Sequence, residues 1–170
     1  MSTSTRIQAG IHIRPATRED VPLILQFIRD LAEYERAPEA AVARPEDLLR
    51  YGFGAEPKFR VVIAEWNGQP AGFALFFNNF STWQGRPGLF LEDLFVRPEF
   101  RGKGIGKALL VHLAQIAIRE ECGRFVWQVL DWNTPSIDFY KSLGAKVLDE
   151  WLTMRVEGEA LRKLATSDKQ

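Results

Sequence analysis

The 170-residue sequence has one cysteine, Cys122, which excludes an internal disulfide and a zinc site built from several thiolates. It has two histidines, His12 and His112, far apart and without H-x-x-x-H spacing, so no catalytic metal is expected. Charge of either sign is not in excess: 22 basic and 22 acidic residues leave a formal net charge of zero. Such a balance argues against nucleic acid held on a basic surface and against an acidic cage for polycations. No apolar run approaches the ~20 residues that cross a bilayer. The opening MSTSTRIQAG lacks the apolar stretch of a secretion signal. These absences predict a cytoplasmic protein with no membrane or nucleic-acid partner. Cys122 reads as a small, partly buried residue after a helix.

The sequence is 46% hydrophobic and 26% charged, as in ordinary globular domains, and its length fits one domain. Residues 1–10 are small and polar and are expected to form a loose tail before a single domain over 11–170. IHIRPA (11–16) alternates as a strand does. Thr17 then opens a helix, with Asp20 three residues on and Val21, Ile24, Leu25, Ile28, Leu31 and Ala32 at helical spacing. PEDLLRYGF (45–53) starts a short helix with proline. FRVVIAEW, Asn67-Gly68 and QPAGFALFFNNF form the strongest hairpin signal, because Asn-Gly accepts the positive φ angles of a type I′ turn. LFLEDLFV (89–96) and RFVWQVL (124–130) are strands apolar on both faces. A helix from about Gly104 to Glu121 lies between them, with Leu109, Leu113, Ile116 and Ala117 on one face. A helix over 135–143 ends at Gly144, one or two strands are expected in KVLDEWLTMRV (146–156), and GEALRKLA (158–165) is a short helix. The order predicts an α/β (α+β) fold, a mixed sheet covered by helices in one domain.

The segment VRPEFRGKGIG (96–106) places three glycines, Gly102, Gly104 and Gly106, at a strand-to-helix junction. Such a junction points backbone N–H groups and the positive helix end at one spot, which suits phosphate. Arg101, Lys103 and Lys107 add charge. The spacing is neither G-x-G-x-x-G, since Lys107 stands at the third position, nor a Walker loop, since Ala108 follows Lys107. A tight structural turn with solvated charges is the alternative reading.

R-G-K-G-I-G resembles the pyrophosphate loop of the GNAT acetyltransferases, Q/R-x-x-G-x-G/A, through Arg101, Gly104 and Gly106. The likeness runs along most of the chain: IRPAT, EYE (33–35), YGFG, LEDLFV, WNTPSIDFYKSLGA and GEALRKLA. It is similar to the diamine (spermidine/spermine) acetyltransferase branch, and STWQGR, LDWN and GEALRKLA lean toward the thialysine acetyltransferase type. The resemblance implies a GNAT fold: a mixed, mostly antiparallel central sheet of six to seven strands, flanked by helices and splayed at an acetyl-CoA site. It also implies a homodimer with substrate pockets partly shared between subunits. Acetyl-CoA would be the cosubstrate. Its holders would be the backbone of Leu94, Phe95 and Val96, the loop residues Arg101, Gly102, Lys103, Gly104, Ile105, Gly106 and Lys107, and Asn133, Ser136 and Tyr140.

Moving an acetyl group from a thioester to an amine requires deprotonating the amine, stabilising an oxyanion and protonating the thiolate. Tyr140 follows Asn133 by about two helical turns, and a phenol of pKa ~10 keeps its proton at neutral pH. The resemblance makes Tyr140 the acid; packing beside Phe139 is the alternative. Glu92 and Asp93 are neighbours on a strand apolar on both faces, so one carboxylate is expected to meet the core. The resemblance gives Glu92 the amine's proton through water and puts Asp93, Tyr34, Glu35 and Trp83 beside the amine. An ion pair is the alternative for Asp93. The sequence departs from the polyamine enzymes before the tryptophan loop, where Ser81-Thr82 replace an acid and the loop is about one residue longer. Fewer acids favour a smaller, thialysine- or lysine-like amine over a polyamine. Two other readings stay open: a CoA-binding sensor without turnover, and a protein lysine acetyltransferase.

Overall fold

The computed structural model describes residues 5–167, with 5–8 given by their backbone alone. The chain divides into two compact units, residues 1–128 and 129–170. The first holds β1 (Thr5–Gln8), β2 (Ile11–Pro15), α1 (Val21–Tyr34), α2 (Pro45–Gly52), β3 (Arg60–Trp66), β4 (Gln69–Ser81), β5 (Arg86–Val96), α3 (Ile105–Arg119) and β6 (Arg124–Trp127). The second holds α4 (Thr134–Ser142) and α5 (Gly158–Ala165).

Among the described residues six strands form one sheet in sequence order. All neighbours are antiparallel except β5 and β6, which α3 joins in parallel. The β3–β4 turn is the expected hairpin, with Asn67 at φ 49° and Gly68 at φ 81°. One face is covered by α1 and α2. Val21, Ile24, Leu25, Phe27 and Leu31 of α1 pack with Leu48, Val61, Phe73, Leu75 and Phe95. Phe27 stacks on Phe73 with ring centres 5.2 Å apart. Phe27 is fully buried there, and Ile28, expected at the core by helical spacing, packs partly buried against the same cluster. Alternation sends Ile11, Ile13, Val62, Ala64 and Ala74 to the other face. There α3 buries Leu109, Leu113, Ile116 and Ala117, as its spacing predicted.

Three expectations are corrected. Residues 5–8, read as loose tail, pair with β2 across a turn at Gly10, whose φ of 92° suits glycine; residues 1–4 lie outside the described residues. The strand expected over 124–130 stops at Trp127. No strand forms in 146–156. A strand needs a partner for its backbone groups, and hydropathy alone does not supply one. Trp151, Leu152 and Met154 are exposed there.

Candidate acetyl-transfer site

The pairing of β5 with β6 ends at Leu91 opposite Trp127, while β5 stays paired with β4 through Val96 opposite Gly72. From Glu92 to Val96, therefore, no strand among the described residues pairs with β5 on its β6 side, the splay that the resemblance implied. An open edge can accept an extended ligand as an added strand. Gly72 makes this stretch possible. A Cβ there would collide with the carbonyl oxygen of Phe95 and lie 3.1 Å from Cα of Val96. Its one signal in the sequence is a glycine inside a strand run.

The upper end of that edge runs into the glycine loop. Gly102 and Gly104 have φ of 76° and 77°, and Gly104 caps α3. No atom outside its neighbours lies within 4 Å of a Cβ built at Gly102, so the loop backbone is open to close approach. Ile105 is buried and anchors the first turn of α3. The loop's cations separate. Arg101 donates from Nε to the Val96 carbonyl at 3.0 Å, and its guanidinium lies 4.9 Å over the ring of Tyr34 on α1 and 5.7 Å over Phe95. Lys103 instead lies over Trp66, 5.5 Å from the ring centre. Lys107 sits within the first turn of α3. Glycines, helix start and cations fit a diphosphate.

At the lower end, β4 and β5 slip register: Leu75 faces Asp93 and Phe76 faces Leu91, leaving Glu92 as the extra residue of a bulge. A bulge re-aims side chains. Simple alternation had put Glu92 and Asp93 on opposite faces without it. Glu92 is exposed and Asp93 half-buried. Burial, then the charges of Glu92 and Glu35, push the Asp93 carboxyl up to about 7. No ion pair is formed by Asp93 among the described residues, so the ion-pair alternative falls away. Burial also raises Glu35, just past the end of α1. The structure thus brings Tyr34 to Arg101 and Glu35 near Asp93 through one helix end. Trp83, in the β4–β5 turn, is 88% exposed.

The remaining expected residues lie in the second unit. Asn133 is buried and caps α4, its side-chain oxygen accepting from the Ser136 backbone N–H at 3.4 Å. Tyr140 lies on α4 with its ring 5.5 Å from that of Phe139. Cys122 keeps its bland reading: burial raises its thiol, and Asn78 approaches Sγ at 3.7 Å. Among the described residues no group of three His, Cys, Asp or Glu is arranged to hold a metal, and no helix is long and apolar enough to cross a membrane.

The sequence profile of the Acetyltransferase (GNAT) family matches residues 24–145. The chain belongs to the GNAT acetyltransferase family. It is 41% identical to the thialysine N-epsilon-acetyltransferase of Sus scrofa, over 92% of this chain and 98% of that one. It is 38% identical to the human spermidine/spermine N(1)-acetyltransferase-like protein 1, over 90% of this chain and 23% of that longer one. Among solved structures, an integron cassette protein from V. cholerae superposes with a TM-score of 0.78 at 31% identity, covering 92% of this chain and 98% of that one. This GNAT chain is accordingly an N-acetyltransferase, and acetyl-CoA is the cosubstrate that the family uses.

Proposed function

We propose that the protein transfers acetyl from acetyl-CoA to a small primary amine by direct attack in a ternary complex. A thialysine- or lysine-like amine is the preferred acceptor and a diamine or polyamine the second. The observation that carries this reading is one strand, β5, whose open edge leads from the carboxylates at the bulge to the glycine loop. The preference for a smaller amine rests on Ser81-Thr82 and on the name of the porcine relative.

Acetyl-CoA supplies the activated acetyl group. The loop amides and the cations of Arg101, Lys103 and Lys107 bind its diphosphate, and Leu94–Val96 align its arm along the strand edge. An alkylammonium of pKa ~10.4 must lose a proton before it attacks. The carboxylates at positions 92 and 93 attract the ammonium. Glu92 takes its proton through water, and Asp93, raised to about 7, is a second acceptor poised near neutrality. Tyr140 gives its phenolic proton to the departing sulfur. Asn133 and Ser136 support the cofactor, while Tyr34, Glu35 and Trp83 border the amine. The protein acts as a cytoplasmic homodimer.

A thiol-release assay with acetyl-CoA against thialysine, lysine, putrescine, spermidine and a lysine-containing peptide tests this reading. Saturable turnover is expected with thialysine or lysine. Turnover with spermidine alone would reverse the order of acceptors, and turnover with the peptide alone would replace the small-amine reading.

A further inference from the structure

Arg101 is tied to its surroundings by a hydrogen bond and two rings, but Lys103 has no ion pair among the described residues. Its ammonium lies over Trp66, the last residue of β3. Trp66 pairs with Ile11 and so shares the sheet face that α3 covers, beside the start of that helix. The ring is itself seated. A Cβ built at Gly10 would stand 3.3 Å from Cη2 and Cζ3 of Trp66, and the Asn67 N–H donates to the Gly10 carbonyl at 2.8 Å. The β1–β2 turn and the β3–β4 turn thus hold the indole edge while its face meets the ammonium.

We propose that Trp66 is a positioning residue of the cofactor site, its indole face holding the Lys103 ammonium on the α3 side of the loop for a phosphate of coenzyme A. This rests on the reading of the glycine loop as the acetyl-CoA site. A lysine side chain has many rotamers, and fixing one before the ligand arrives lowers the ordering cost of binding. An ammonium over a ring face still has N–H donors left for a phosphate oxygen. Tryptophan is the strongest aromatic partner for a cation. Nothing in the hairpin signal AEWNG marked this residue, because its partner lies 37 positions on, in a loop.

The test is a double-mutant cycle on the full chain, with coenzyme A as the probe and affinity measured by calorimetry. Lys103→Met is expected to weaken binding. Trp66→Leu is expected to raise Kd about two- to fivefold, the range of an exposed cation–aromatic contact. The same change in the Lys103→Met background is expected to do nothing, and Trp66→Phe to retain most of the affinity. Equal losses from Trp66→Leu in both backgrounds would overturn the proposal and leave Trp66 a sheet residue. An unchanged Kd for Lys103→Met would instead remove Lys103 from the cofactor site, and the proposal with it.

Discussion

Replacing Asp93 by Asn tests the carboxylates at the bulge directly. In the folded protein the Asp93 carboxyl titrates at about 7; in an unfolded chain an aspartate titrates near ~3.9. Between those values the folded state holds a proton that the unfolded state has lost. Stability therefore falls as pH rises through that window, and the loss is complete above it. A shift of about three units corresponds to roughly 4 kcal/mol, an upper bound because water reaching the bulge relieves part of it. Asn has the shape of the neutral acid and no proton to lose. The variant should match the parent at pH ~4 and exceed it in stability above neutral pH, by up to that amount. Urea unfolding of both proteins at several pH values measures the difference. Asp20, Glu65 and Glu120, all held low by Arg14 or Arg60, weaken both proteins alike at low pH and cancel in the comparison. Parallel stability curves would refute the claim that Asp93 is a half-buried carboxyl with no cationic partner. Under the proposed mechanism the same change should also lower kcat, by removing the second proton acceptor.

Tyr140→Phe should lower kcat by about a hundredfold or more while leaving the Kd for coenzyme A nearly intact, as measured by steady-state kinetics and calorimetry. Gly72→Ala should part β4 from β5 at Phe95 and Val96, lowering the thermal midpoint and raising KM for acetyl-CoA. An unchanged KM would detach the strand edge from cofactor binding. Phe27→Ala removes a fully buried ring stacked on Phe73 and should cost about 3–5 kcal/mol in urea unfolding.

Local signals carried much of this protein. Asn67-Gly68 set the hairpin through backbone conformations that few other pairs accept. The 3.6-residue spacing set the buried faces of α1 and α3. The glycines and cations of 101–107 marked the loop, because phosphate needs close backbone approach and positive charge next to each other in sequence. Glu92 and Asp93 were visible as carboxylates in an apolar run. The sequence could not say which one the core would take, because a bulge is a register between two strands and belongs to neither alone. The same limit hid Gly72, whose role depends on Phe95 across the sheet, and Trp66, whose partner arrives in a distant loop. It also produced the error at 146–156, where apolar residues read as strand but no partner strand pairs with them. Residue types and short periodicities thus determined the elements and the chemistry available. Pairing, burial and the meeting of distant charges were decided only by the tertiary structure, because each depends on what stands across the gap.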